Sequence, residues 1–244
     1  MLKYSLGIDV SKASFHACLS TIDAVQKVKV QRSGTFTNNE RGFKALMVLC
    51  AKEHKDPTLP FVVVMEATGV YYERLAFFLY AQGMPVSVVL PNKAKKYIAA
   101  LGIKTKNDSA DAKALSKMGA EQALDCWQPM GDFFYTLRAL TRHYQSLQAM
   151  ATALGNQAEA MECAMHQTEA VDKSNELLIG TVEAQVKALS KAISAHLRSD
   201  KGIWEKVKHL IAIKGVGELT VAVILGGLFP IMWGSGTGSE VMQR

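Results

Sequence analysis

Asp9 and Glu66 each lie at the end of a predicted strand. Asp9 closes the strand-forming run YSLGID, and Glu66 follows the apolar run FVVVM, which is typical of a strand buried on both faces. An acid in this position can point from the end of a sheet into a cleft. Two more acids, Asp108 and Asp111, are three residues apart at a predicted helix start, a spacing that puts both side chains on one helix face.

Carboxylates that converge in this way favour the binding of a divalent cation. Four of them would raise one another's pKa unless a cation neutralised their charge, and hard oxygen ligands select magnesium or manganese. Two such ions can activate an attacking oxygen and stabilise the leaving oxygen in phosphodiester cleavage. The pattern predicts Mg²⁺ or Mn²⁺ bound by Asp9, Glu66, Asp108 and Asp111, which are also the predicted catalytic residues. Each acid alone has a plainer interpretation as a turn or helix-capping residue.

The elements that must position these acids alternate between strands and helices. Strand formers on both sides of a tight connection at Ser11-Lys12 predict a hairpin, and helical periodicity follows between later strands. Antiparallel strands followed by βαβ units give a mixed sheet covered by helices, which is the ribonuclease-H-like order. The first and fourth strands are neighbours in that fold. The predicted elements are strands at 4–10, 14–20 and 26–32, a helix at 40–54, a strand at 61–65, a helix at 70–82, a strand at 85–90 and a helix at 108–123.

The second half of the sequence is predicted to be helical. Apolar residues three and four positions apart over 134–154 form the seam of a coiled coil or a bundle. A second apolar series covers 178–197, and the polar residues 167–176 are the predicted connection. Two such helices form a hairpin or pair with another subunit, so we expect a homo-oligomer, either a dimer or a tetramer. The expected domains are a catalytic domain at 1–130, a helical hairpin at 131–200 and a partial C-terminal domain at 201–244.

Basic residues crowd the segment just before Asp108, beside the predicted metal site. This position suits phosphate contacts with DNA or RNA, although a solvated loop and helix surface would use the same residue types. Two arginines on the polar side of the long helix either contact RNA or solvate the bundle. The candidate nucleic-acid contacts in these segments are Lys93, Lys95, Lys96, Lys104, Lys106, Arg138 and Arg142.

The segment IKGVGELT at residues 213–220 resembles a helix-hairpin-helix turn. Glycines allow close backbone approach, and the N-terminus of the next helix offers N–H groups to a phosphate. Lys214, Gly215 and Gly217 are therefore candidate phosphate contacts. The alternative is a tight connection between two helices with no ligand.

The bulk properties of the 244-residue chain fit a nucleic-acid partner without identifying one. The formal net charge is +6, which bears on binding and solubility rather than on fold. The four cysteines are far apart and form no CxxC pair, so we expect reduced thiols of a cytosol rather than a zinc site. No signal core and no apolar stretch of membrane-spanning length is found, and a cytoplasmic location is expected.

Three segments closely resemble one known family. They read GIDVSK, VVMEATGVYYERLAFFL and VVLPNKAKKYIAALGIKTKNDSADAKAL, and the phrases EATGxY and KTDxxDAxxL are specific to the DEDD transposases of the IS110 group of bacterial insertion sequences, which includes Piv-type recombinases. The resemblance runs from about residue 4 to 125, with a weaker match at 204–228. It implies that the four acids are the DEDD tetrad of a RuvC-like domain. It also implies a noncoding guide RNA that pairs with donor and target DNA.

The C-terminal part departs from the family pattern. Members of the family continue into a longer domain, in which a serine hydroxyl is the nucleophile that joins to DNA. Here the chain passes through FPIMW at 229–233 into the glycine- and serine-rich stretch GSGTGS at 234–239. Ser235 is only a weak nucleophile candidate, and a flexible tail is the preferred interpretation. We therefore expect a shortened chain that binds nucleic acid and is incomplete for strand exchange.

Two alternatives to the guide-RNA recombinase use the same sequence features. A structure-specific endonuclease of the Holliday-junction type would need the four acids and no serine. A non-catalytic transposase fragment would keep only the nucleic-acid-binding helices. A sugar-kinase-like ATPase shares the early strand order, but it needs a glycine-rich phosphate loop that residues 10–13 lack. Copurifying RNA would favour the recombinase or the fragment, and cleavage of branched DNA would favour the endonuclease.

Overall fold

The computed structural model describes residues 1–102, 108–166 and 168–232. These residues form two compact units, Met1–Pro129 and 130–232. The boundary between the units lies one residue from the predicted domain boundary after residue 130. The predicted further division after residue 200 stays a prediction.

The first unit is built on a five-stranded mixed sheet with the order β3-β2-β1-β4-β5. β1 pairs antiparallel with β2, and β2 with β3, whereas β4 pairs parallel with β1 and β5 with β4. The predicted ribonuclease-H-like sheet is confirmed, with β1 and β4 as neighbours. The elements are β1 (Lys3–Val10), β2 (Ser14–Ile22), β3 (Val28–Thr37), α1 (Glu40–Glu53), β4 (Phe61–Glu66), α2 (Glu73–Ala81), β5 (Val86–Val89), α3 (Pro91–Ala100) and α4 (Asp108–Glu121).

The alternation of side chains along each strand gives the sheet two buried faces. Leu6 and Ile8 of β1 pack with Leu46 of α1 and Leu75 of α2 in one apolar cluster. On the other face, the strand residues Val64 and Val89 pack with Ala94 of α3 and with Leu115 and Met118 of α4. Helices therefore cover both faces, because successive strand residues point to opposite sides. Each fully buried aliphatic side chain contributes about 2 kcal/mol.

Two glycines let α4 lie directly on the sheet. A Cβ atom on Gly7 would lie 2.1 Å from the backbone nitrogen of Ser116, and one on Gly119 would lie 2.4 Å from Oγ of Ser5. The hydroxyls of Ser20 and Ser116 also form a buried hydrogen bond of 2.8 Å across this seam. β1 and α4 therefore run in opposite directions, because Ser5 lies against Gly119 whereas Gly7 lies against Ala112 and Ser116. The N-terminus of α4 consequently lies at the end of β1 that carries Asp9.

Helix α3 is an element that the sequence pattern did not predict. Its first residue is Pro91, and proline suits this position because its φ angle is helical and its missing N–H is not needed there. Ala94 is buried, and the hydroxyl of Tyr97 donates to Oε2 of Glu121 at 2.5 Å. Only this narrow stripe packs on the sheet layer, so the apolar periodicity is too weak to identify the helix.

Over its described residues, 130–166 and 168–232, the second unit consists of four helices. They are α5 (Asp132–Glu162), α6 (Glu169–Ser199), α7 (Lys201–Ile211) and α8 (Glu218–Met232). α5 and α6 are antiparallel, since His196 bonds to the carbonyl of Phe133 at 2.8 Å while Asn175 contacts Met161 at the opposite end. Leu137, Ile193, Val207 and Val221 contribute one residue from each helix to a common core. Coiled-coil supercoiling and oligomerisation remain predictions.

The predicted connection between the long helices is wrong over residues 169–176. Those residues form the first two turns of α6, and residue 167 lies outside the described residues. Apart from the buried Asn175, the polar residues among them face solvent on a helix rather than form a loop. Glu169 pairs with Lys173 one turn later at 2.5 Å. Within the described ranges, no helix is long and apolar enough to cross a membrane.

Candidate metal centre

Asp9 and Glu66 lie side by side at the carboxyl ends of two neighbouring parallel strands. Ile8 of β1 pairs with Met65 of β4, so the two acids occupy the next position on each strand. Because Leu6 and Ile8 face the α1–α2 layer, Asp9 faces the opposite side, which α4 covers. The strand ends therefore present both carboxyl groups on one face, and each is half-buried.

Asp108 and Asp111 join this face from the first turn of α4. The contact of Gly7 with Ala112, Leu115 and Ser116 fixes the position of α4 along β1. Asp108 is exposed, and Asp111 is half-buried. The sheet and the helix thus bring all four predicted acids toward one edge of the fold.

The charges at this edge act on Asp9. Burial is the largest cause, followed by the negative charges of Asp108, Asp111 and Glu66, and together they raise the pKa of Asp9 from 3.8 to about 6, against an opposing effect of His16. A carboxyl group in such surroundings is held in its ionised form only at a free-energy cost. A bound cation would remove that cost.

His16 belongs to the same cluster, although the sequence interpretation treated it as structural or surface-exposed. It lies opposite Asp9 in the β1–β2 ladder, and its Nδ1 is 3.7 Å from Oδ2 of Asp108. When protonated, the ring forms an ion pair with that carboxylate. The signal was available in the hairpin, since a connection over residues 11–13 makes residues 9 and 16 cross-strand partners.

A hydroxyl orients Glu66. Thr68 Oγ1 donates to Oε1 of Glu66 at 3.0 Å, in the loop that follows β4. The next residue, Gly69, has a φ of 59°, a left-handed conformation that glycine adopts without strain. The segment EATG therefore combines a carboxylate, its hydrogen-bond donor and the turn that brings the donor back to it.

The donor set has the chemistry that a hard divalent cation requires, since it consists of carboxylates whose mutual repulsion a cation would relieve. The carboxylates lie farther apart than ligands that bind the same metal ion. Across residues 1–102, 108–166 and 168–232, no three His, Cys, Asp or Glu side chains are close enough together to hold one ion as they stand. The tetrad fits magnesium or manganese by charge and ligand type.

The lysine-rich segment begins at the same edge of the sheet. Glu66 pairs in register with Val89, two residues before the start of α3 at Pro91. Lys93, Lys95 and Lys96 are all exposed on this helix. Lys104 and Lys106 lie outside the described residues.

The remaining nucleic-acid candidates belong to the second unit. Arg138 is half-buried and stacks over the ring of Tyr135 at 5.0 Å, whereas Arg142 is exposed. In the turn between α7 and α8, Gly215 has a φ of 90°, and Lys214, Gly215 and Gly217 are all exposed. Ser235 lies outside the described residues.

Comparison with known proteins gives a family match and two curated relatives. The model of a transposase family, the DEDD transposases of IS110, matches residues 6–161, more than half of the chain. The pilin gene-inverting protein of Moraxella lacunata is 37% identical over 142 residues, which cover 58% of this chain and 42% of that protein. The protein of the same name from Moraxella bovis matches to the same extent. This chain thus spans less than half the length of these relatives.

Two further matches cover less. The structure of Thermus thermophilus RuvC aligns with a TM-score of 0.38 and 14% identity, over 48% of this chain and 93% of that protein. A stretch of 26 residues is 69% identical to the cation efflux system protein CusA of Escherichia coli, and it covers 11% of this chain and 2% of that protein.

Proposed function

The chain belongs to the DEDD transposase family of IS110 elements, and from that membership we propose that it is a metal-dependent DNA recombinase of an insertion sequence. The convergence of Asp9, Glu66, Asp108 and Asp111 on one sheet edge is the observation that supports this proposal most strongly. Clustered carboxylates of this kind are the ligands that phosphoryl-transfer sites use for divalent cations.

The four acids form two pairs in the proposed site. Asp9 and Glu66 are rigid ligands because adjacent strands fix their backbones. The hydrogen bond from Thr68 also restricts rotation of the Glu66 carboxylate. Asp108 and Asp111 complete the ligand set from α4. When bound, Mg²⁺ or Mn²⁺ supplies Lewis acidity to the attacking and leaving oxygens of a phosphodiester.

DNA is the proposed substrate, and the exposed lysines of α3 support this assignment. They lie on a helix that starts two residues after Val89, the in-register partner of Glu66. A DNA strand that contacts these lysines would therefore pass close to the acids. Lysines at such positions bind phosphates regardless of sequence. We assign the same role to Lys104 and Lys106.

The further partners proposed for the chain are a noncoding guide RNA and other copies of itself. Arg138, Arg142 and the turn of Lys214, Gly215 and Gly217 offer cationic or N–H groups for RNA or DNA backbones. The long α5–α6 hairpin is the surface on which we expect subunits to pair. A protein that recombines bacterial DNA acts in the cytoplasm, where we expect this chain.

The test is cleavage of a four-way DNA junction and of supercoiled DNA by the full chain, with Mg²⁺ or with a chelator. We expect Mg²⁺-dependent cleavage that Asp9→Asn and Asp111→Asn reduce by about 100-fold or more. Asp125→Asn is the matched control, since Asp125 is an exposed aspartate beyond α4.

Each other outcome points elsewhere. Cleavage that is equal in Asp9→Asn and the unmodified chain contradicts the proposed site. Efficient cleavage of the four-way junction but not of supercoiled DNA, in the absence of RNA, favours the structure-specific endonuclease. Nucleic-acid binding with no cleavage under any metal condition favours the non-catalytic fragment.

A further inference from the structure

Asn38 connects two loops that are distant in sequence. It lies between β3 and α1, and its Nδ2 donates to the carbonyl oxygen of Ser11 at 2.9 Å and to that of Tyr71 at 3.1 Å. Its backbone N–H donates to the carbonyl oxygen of Ala13 at 2.9 Å. One residue thus binds the β1–β2 turn at two points and the β4–α2 loop at a third.

These are the loops that leave the two strands carrying the acids. The β1–β2 turn begins two residues after Asp9 and leads to His16. Tyr71 follows Glu66 in the loop that also holds Thr68. A bond between the loops therefore restricts the separation of the strand ends from which Asp9 and Glu66 project.

The chemistry of the contact requires an amide. Both partners of Asn38 are carbonyl oxygens, so the nitrogen must face them, and only a primary amide presents two N–H donors from one short side chain. The other amide atom, Oδ1, is buried and has no partner among the described residues. An unpaired buried acceptor lowers the stability of the folded chain. Any favourable contribution of the Asn38 side chain to the contact between the loops therefore comes from the two hydrogen bonds that its Nδ2 donates.

We propose that Asn38 is a positioning residue for the carboxylate site, because it ties the β1–β2 turn to the β4–α2 loop and so limits the movement of Asp9 and Glu66, which lie one residue beyond the last β1–β4 pair. Like charges at the strand ends repel each other and push the two loops apart. The Asn38 amide opposes this force from outside the cluster, without contributing a ligand. The inference rests on the proposed function, since the spacing matters only if the acids share a cation.

Asn39 provides a matched control one residue away. Its Oδ1 accepts from the backbone N–H of Gly42 at 3.1 Å, as the N-cap of α1. Asn39→Asp keeps that acceptor and suits the helix N-terminus. Asn38→Asp instead turns an oxygen toward two carbonyls. The two variants add the same charge at adjacent positions and differ in the bonds that they break.

The experiment is thermal unfolding of the full chain during titration with Mn²⁺ alone. We expect Asn38→Asp to raise the Mn²⁺ concentration at half-maximal stabilisation about 10-fold, as loss of a ligand-orienting contact does, while Asn39→Asp leaves it unchanged. A purely structural role would lower the metal-free Tm without moving the Mn²⁺ midpoint, and that result would overturn the proposal. If Asn38→Asp does not fold, Asn38→Ser keeps one donor and should give an intermediate midpoint.

A second readout separates this inference from the proposed function. If the unmodified chain shows no response to Mn²⁺, the proposed metal site and the positioning role both fail. Hydrogen exchange of the backbone N–H groups at residues 11–14 and 70–73 still tests the connection itself without metal. Faster exchange of both loops in Asn38→Asp alone supports the connection, and equal exchange in all three proteins contradicts it.

Discussion

At the scale of single residues, Asp9 is a carboxyl group on which burial and several neighbouring charges act together. It is half-buried at a strand end, and three other carboxylates add their repulsion to the cost of burial. His16 offsets part of this repulsion from the neighbouring strand. The charges around Asp9 lower the stability of the isolated chain, and the cation that we propose for this edge would offset that cost.

The first residue-scale prediction concerns the pH dependence of stability. Because the pKa of Asp9 is raised from 3.8 to about 6 in the folded chain, the folded state holds the proton more tightly than the unfolded state. Stability therefore falls as pH rises between these two values, and the full cost is present above the upper one. The shift would correspond to about 3 kcal/mol, which partial exposure to solvent reduces to about 1 kcal/mol.

Asp9→Asn should accordingly stabilise the metal-free chain by about 1 kcal/mol at pH 8, and the gain should vanish near pH 4. Urea unfolding in the presence of a chelator at the two pH values measures the difference. A variant that is less stable than the unmodified chain at pH 8 would show that Asp9 is stabilised by its neighbours, contrary to the charge arrangement.

At the scale of elements, the contact between β1 and α4 determines where the acids meet. Gly7 and Gly119 allow the helix backbone to lie against the sheet, and the buried Ser20–Ser116 hydrogen bond fixes it there. The helix carries two of the acids and the strand a third. The site therefore depends on a backbone contact that involves Gly7, two residues before Asp9, and Ala112, the residue after Asp111.

Gly7→Ala tests this dependence. The added Cβ would meet the backbone nitrogen of Ser116 at 2.1 Å and the carbonyl oxygen of Ala112 at 2.2 Å, so α4 must move. We expect a loss of about 3 kcal/mol in the free energy of unfolding and a weaker response to Mn²⁺. Gly34→Ala in β3 is the control, because its Cβ would lie 3.4 Å from the ring of Phe36, and it should be close to neutral in both measurements.

Most elements of the first unit could be predicted from the sequence, because buried strands and amphipathic helices have distinct periods. The strand-end acids Asp9 and Glu66 could be identified in the same way. Helix α3 could not, since only Ala94 and part of Tyr97 face the core. His16 could have been identified from the register of the β1–β2 hairpin, which places it opposite Asp9, but no local pattern around residue 16 indicates it. The start of α6 was missed because its first turns are exposed and polar.

At the scale of the whole molecule, the formal net charge is positive, which suits the DNA that we propose as the substrate. The net charge is +6 although the acids of the tetrad contribute negative charge. Exposed lysines occur on α3 at the carboxyl edge of the sheet and on α1 over the opposite face. Of these two groups, only the lysines on α3 lie on a helix that starts beside the acids. The effects of removing lysines from α3 and from α1 can therefore be compared directly.

Replacing Lys93 and Lys96 together with alanine should weaken binding to duplex DNA and make it less sensitive to salt. If each lysine neutralises one phosphate, the slope of log affinity against log salt should fall by about 2. Fluorescence anisotropy over a range of salt concentrations measures this slope. The control, Lys44→Ala with Lys52→Ala on α1, removes the same charge and should leave the slope nearly unchanged. Equal effects of the two pairs would argue for nonspecific attraction by net charge.

The packing of α4 on the sheet also has a consequence for how the chain acquires its structure. Lys3 donates to the carbonyl of Gln122, 119 residues away, and Ser20 bonds to Ser116, 96 residues away. Contacts so distant along the chain close late in folding, since the entropy of the intervening loop must be lost first. During synthesis on a ribosome, the four carboxylates cannot meet until α4 has emerged from the exit tunnel. Until then, the nascent chain carries Asp9 and Glu66 without the two acids of α4.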